Sequence, residues 1–251
     1  MINKTKVLPI INLLLFIIMI LVNVLAMSNL LGNSTREISA SMVTLLMPIG
    51  LTFSVVWTAI YILLGVTTVY SLVKSNNEDV KDIGIYYMFT SLLNILWILA
   101  FHTKMYLIST VIIIFLNVVL FIIVTKLKFA NTLLKTTFSV YYAWITVAMF
   151  VSIFTYISSV DPFAYNSIVV RILTVGALVL LTAITLMRLK NYTFTLTVVF
   201  AEIGILLKQI IDFNGMYPEL IVTVSISLLV LIALTAMSFT KGTYKNEAIQ
   251  M

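Results

Sequence analysis

The chain holds only three tryptophans, and each sits in a patterned run. Trp57 lies in Phe53-Ser-Val-Val-Trp57-Thr-Ala-Ile-Tyr61-Ile-Leu-Leu-Gly65, where Phe53, Trp57, Tyr61 and Gly65 recur every four residues and drift slowly around one helical face. Trp97 lies in Leu93-Asn94-Ile-Leu-Trp97-Ile-Leu-Ala-Phe101, again one face at offsets of three and four. Trp144 follows Tyr141 and precedes Ala148, with Ser152 one turn further on. Aromatic rings, an amide and a small residue at one depth suit non-covalent recognition, because a flat apolar molecule gains by burial and by stacking on such rings. Plain helix packing is the competing reading. Small residues then permit close approach, Asn94 bonds a neighbouring helix, and Trp97 anchors at the lipid–water boundary.

Other chemistry is sparse. With no Cys there is no disulfide and no thiolate ligand, and the single His102 excludes multi-histidine metal sites. His102 reads as an interfacial residue, with an axial haem ligand as its sharper alternative. There is no Ser/His/Asp set and no phosphate loop, so conventional hydrolysis and phosphoryl transfer are not expected. The costly residues are Arg171 and Glu202, both within apolar runs. An unpaired charge at mid-bilayer costs about 2.5–3.5 kcal/mol, so these two are expected to pair. Lys208 and Asp212, at i and i+4, form a second expected pair. A structural bridge between helices is the bland account. A secondary transporter using the Arg171/Glu202 pair is the sharper one, without the inverted repeats or Gly/Pro-broken helices that would support it.

The elements that position these residues follow from composition. Hydrophobic residues make up 62% and charged residues 10% of the 251, with a mean hydropathy of +1.16. Soluble domains are about 45–50% apolar and about 25% charged, so a water-soluble globule is excluded. An all-α integral membrane protein is expected. Runs long enough to cross a bilayer, about 20 residues each, are Val7–Ser28, Ile49–Val73, Ile83–Phe101, Met105–Thr125, Leu133–Ile157, Tyr165–Met187, Tyr192–Ile211 and Glu219–Phe239. They lack the period-two alternation of barrel strands. Counted inward at about 1.5 Å per residue, Trp57, Asn94 and Ala148 lie roughly 10–14 Å below one surface.

The net charge of +6 sits on loops and implies no nucleic-acid partner. Lys4, Lys6, Lys74, Lys81, Lys126, Lys128, Lys135, Arg188, Lys190, Lys241 and Lys245 fall on one side, and only Arg36 and Lys104 on the other. Such a bias marks the first side as cytoplasmic and places both termini there. A seven-span arrangement would move Lys241 and Lys245 across and break the pattern. Lys4 and Lys6 before the first run also resemble a signal peptide ending at Ala26-Met27-Ser28, but the run exceeds the usual h-region of about 7–15 residues.

The three tryptophan segments resemble the second, third and fifth helices of the TspO/MBR family, the tryptophan-rich sensory proteins related to the mitochondrial translocator protein. The second-helix pattern is matched at Phe53, Val56, Trp57, Tyr61 and Gly65, the third at Leu93, Asn94, Trp97 and Phe101, and the fifth at Tyr141, Trp144 and Ala148. Val55, Val140, Thr90 and Ser152 replace the residues usual in the family, and the first loop has no Trp. The likeness runs over about Val7–Ile157. It implies a five-helix unit at residues 1–158, with residues 159–251 adding about three transmembrane helices and a cytoplasmic tail. It further implies a bacterial plasma membrane, a possible homodimer among membrane lipids, and no required cofactor. The implied ligand is a flat hydrophobic molecule, a tetrapyrrole (porphyrin or haem) or a sterol, held by Phe53, Trp57, Tyr61, Asn94, Trp97, Tyr141, Trp144 and Ala148. Helices two, three and five would then converge on one hollow with their indoles turned inward. Arg36 and Lys104 would meet the carboxylates of an anionic porphyrin, with lipid-boundary anchoring as the alternative for both and the better fit for Lys104. Light-dependent porphyrin degradation is an alternative enzymatic role.

Overall fold

A lipid interior offers no water to backbone N–H and C=O groups, so each apolar run must close its hydrogen bonds within itself. In the computed structural model all eight expected runs are helices long and apolar enough to cross a membrane. The structure describes residues 6–28, 30, 37, 45–127 and 132–247. Arg36, Lys4 and Lys128 lie outside them. Among the described residues there is no strand.

The long helices are α1 (Val7–Ala26), α2 (Gly50–Val73), α3 (Glu78–His102), α4 (Tyr106–Lys126) and α5 (Thr132–Val160). After a short α6 (Pro162–Asn166) come α7 (Ile168–Leu189), α8 (Tyr192–Ile211) and α9 (Pro218–Glu247). Polar side chains mark several starts by accepting otherwise unmet backbone N–H groups. Asn77 accepts from Val80 at the head of α3, so that helix begins at Glu78 rather than Ile83. Ser167 accepts from Val170 and Asn191 from Phe194 at the heads of α7 and α8. Lys190, left-handed at φ 50°, ends α7 and permits the tight turn into α8. Asp161 caps α6 by accepting from Phe163. This short helix was not expected; it takes Tyr165 out of the sixth span, which starts at Ile168 instead.

The helices differ in how much lipid they face. Burial covers 56% of the core window of α5 and of α8, against 22% for α1 and α9. The α5 helix therefore sits at the centre, packed on α2, α4, α7 and α8. The α1 helix lies against α2 and α3, and α9 against α7 and α8. The α8 helix carries Glu202 and Lys208 within its span. Both are buried and face protein, where charged side chains in membranes belong.

Buried hydroxyls and amides tie the centre together. Thr67 meets Thr137 at 2.9 Å across α2 and α5, and Thr68 meets Tyr87 at 2.6 Å across α2 and α3. Asn117 donates to Thr146 at 2.8 Å, and Asn191 to Ser139 at 2.8 Å. In a bilayer such bonds and close packing replace the missing hydrophobic drive between helices.

Candidate functional site

The patterned aromatics meet toward the ends of α2 and α3 that lie away from the N terminus, against the middle of α5. Each indole is turned inward: Trp57 is 6% exposed, Trp97 5% and Trp144 2%. Trp97 is thus no lipid-boundary anchor. Trp57 is the centre of the group, stacked on Tyr61 at 5.2 Å and on Trp97 at 6.2 Å between ring centroids, with Trp144 edge-on at 6.2 Å. Phe53 closes the set, 6.3 Å from Trp57 and 5.8 Å from Trp144. Stacked and edge-on pairs at these separations are the favourable arrangements of aromatic rings. The four-residue spacing along α2 is what allows Phe53, Trp57 and Tyr61 to line up on one face.

These rings wall a cavity of about 220 Å³. Of the expected ligand residues, Phe53, Trp57, Tyr61, Trp97, Trp144 and Ala148 line it. Asn94 and Tyr141 do not; they lie behind it, 0% and 1% exposed. Asn23 of α1 lines the cavity and donates to the Asn94 side-chain oxygen at 2.9 Å, while Asn94 donates to the Tyr141 hydroxyl at 3.0 Å. The amide therefore joins three helices beneath the cavity, as the packing alternative held.

Further lining residues were not among those expected to hold a ligand, Asn23, Met47, Pro48 and His102 among them. Asn23 did carry a signal, being a lone amide in the α1 run beyond Asn12. Met47 and Pro48 carried none, since they lie between spans. His102 is 2% exposed rather than interfacial, and its Nδ1 sits 2.9 Å from the Ile98 carbonyl. No Asp, Glu, Lys or Arg is among the described lining residues. Lys104 is exposed and lines a shallow surface depression with Tyr106 and Tyr156 instead. The cavity walls are apolar rings with amide, hydroxyl and imidazole accents.

The expected Arg171–Glu202 pair does not form. Arg171 binds Glu219 at the head of α9, N to O 2.6 Å, donates to the Tyr165 carbonyl at 3.0 Å, and lies 5.0 Å from the Tyr217 ring centre. Depth explains the correction. With α7 starting at Ile168, Arg171 is only about 5 Å into its helix, whereas Glu202 is about 13 Å from the end of α8. Glu219, in the first turn of α9, is at the right depth and gains from the helix dipole there. Glu202 accepts from Ser227 Oγ at 2.6 Å. Tyr165 and Tyr217 share a hydrogen bond at 2.8 Å. Burial and that bond hold the Tyr165 phenol above its usual range, opposed by the Arg171 charge. Lys208 is 2% exposed, feels the Asp212 carboxylate electrostatically and lies 5.7 Å from the Phe213 ring centre.

No curated protein and no solved structure matches this chain. The sequence pattern of the TSPO-like protein family does match, over residues 9–238. That stretch includes all three tryptophans and continues through α7 and α8 into α9, well past the Val7–Ile157 of the resemblance in the tryptophan segments. With nearly the whole chain covered, this integral membrane protein belongs to the TSPO-like protein family.

Proposed function

We propose that the protein binds a flat, neutral, apolar small molecule in the aromatic cavity and acts as a sensor or translocator of it. The observation that carries this reading is the cavity wall itself: Phe53, Trp57, Tyr61, Trp97 and Trp144 around one space, with no charged side chain among the described lining residues. Stacked rings reward a planar ligand, and an uncharged wall favours an uncharged one. A volume of about 220 Å³ lies below the roughly 300–1,000 Å³ of drug-sized sites. A two- or three-ring molecule suits it, and a sterol would leave part of its fourth ring and tail outside. A tetrapyrrole would have to extend past the exposed Val24 and Met27, and its carboxylates would find no cation among the described wall residues.

In this reading α1–α5 are the five-helix unit and the last three long helices are an addition to it. The Lys/Arg bias supports a topology with both termini in the cytoplasm and the cavity toward the opposite face. Tryptophan fluorescence tests the proposal, since all three reporters line the cavity. A neutral polyene sterol whose absorption overlaps tryptophan emission, or the dimethyl ester of protoporphyrin, should quench saturably in purified protein. Trp57→Phe and Trp144→Phe should each weaken binding by about tenfold, or about 1.4 kcal/mol. Free protoporphyrin should bind more weakly than its ester. Absence of saturable quenching by every planar ligand would reject the proposal.

A further inference from the structure

Segments between helices ordinarily run over the surface, because a buried backbone must find partners for its polar groups. Leu45, Leu46, Met47 and Pro48 depart from that habit: all four are buried. Their partners come from α8. Gln209, itself 0% exposed, donates from Nε2 to the Leu45 carbonyl at 2.9 Å. The Ile49 N–H donates to the Gly204 carbonyl at 2.9 Å. Gly204 also lies so near α2 that a Cβ on it would stand 2.6 Å from Thr52 Cγ2. Leu46 lines a small hollow together with Val147 of α5, Val175 and Leu178 of α7, and Ile205 of α8.

The residues that follow in sequence form part of the aromatic cavity. Met47 and Pro48 belong to its wall, and Phe53 touches Trp144. Helices α7, α8 and α9 supply no residue to that wall. They reach it through this segment and through α5, whose Val147 and Val151 line both hollows.

We propose that Leu45–Ile49 is a strap across the cavity and that α8 latches it, with Gln209 as a positioning residue for ligand entry. The entry role rests on the cavity-binding reading; the latch does not. Release of the bonds at Leu45 and Ile49 lifts Met47 and Pro48 off the cavity, while α2 keeps its own backbone ladder from Gly50 onward. One hydrogen bond of this kind biases an opening equilibrium by up to about tenfold.

The absence of cysteine gives a clean experiment on the full-length protein in lipid nanodiscs. Met47→Cys introduces a single thiol on the strap, and its reaction rate with a water-soluble maleimide reports opening. Pro48→Cys serves the same measurement where Met47→Cys does not fold. Adding Gln209→Ala should speed labelling by about five- to tenfold while the unfolding midpoint stays within about 3 °C. The entry and exit rates of a neutral planar ligand, read by tryptophan quenching, should rise together. An unchanged labelling rate would overturn the latch, as would a rise that merely tracks lost thermal stability. Faster labelling with unchanged ligand rates would overturn the role in entry. A protein that binds no planar ligand would defeat the proposed function and with it the entry role, yet the labelling result would still decide whether α8 latches the strap.

Discussion

Asn94 is the polar residue on which three helices depend, and its worth can be measured. Asn94→Ala leaves the Asn23 amide and the Tyr141 hydroxyl without their shared partner, deep in the protein. The expected loss is about 1–3 kcal/mol of unfolding free energy in detergent; a change near zero would show that the network carries no stability. The charged residues allow a sharper comparison by double-mutant cycles. Arg171→Met with Glu219→Gln should show a coupling of about 1 kcal/mol or more, because the two touch at 2.6 Å. Arg171→Met with Glu202→Gln should be additive within about 0.5 kcal/mol, because Glu202 is bonded to Ser227 instead. The sequence placed both charges inside helices correctly. Which carboxylate Arg171 met depended on the start of α7, a matter of three residues that the apolar pattern does not mark.

Among whole helices, two glycines with similar sequence surroundings should behave differently. A Cβ on Gly84 would stand 2.8 Å from Leu8 Cδ2, the tip of a side chain that can swing away. A Cβ on Gly204 would stand 2.7 Å from Thr52 Cβ, which moves only with the backbone of α2. Overpacking costs about 1–3 kcal/mol, so Gly204→Ala should lie at the upper end and Gly84→Ala at or below the lower end. Unfolding midpoints of the two variants check this order, and equal losses would contradict it. The tryptophan helices were readable because recurrence every three or four residues survives in any apolar chain. The depth of α5 within the bundle was not, since its polar and apolar residues mix on every face.

For the molecule as a whole, α5 links the cavity-bearing helices to α7 and α8. A chain ending at Val160 would lose the hydrogen-bond partners of Leu45 and Ile49 and the α7 and α8 side of the hollow beside Leu46. We expect it to lose saturable ligand quenching and to unfold at a lower temperature than the full chain. A truncated protein that kept both properties would show that the first five long helices form an independent unit. Eight crossings also place both ends of the chain on one side. Single cysteines introduced near residue 6 and near residue 247 should both be labelled only from the cytoplasm; labelling of the two from opposite sides would reject the eight-span topology.

Composition and periodicity determined that this chain dissolves in lipid, how many helices cross, and which aromatic residues share a face. Those properties belong to single segments, where hydrogen bonding and apolar length act within about 20 residues. The cavity's wall, the amide network beneath it, the Arg171–Glu219 pair and the strap held by α8 were decided only by tertiary structure. Each joins residues far apart in sequence, Leu45 to Gln209 the farthest among them, and lipid-facing patterns are silent about which helix meets which. In a bilayer, close packing and buried polar bonds choose the partners, and both depend on shape in three dimensions.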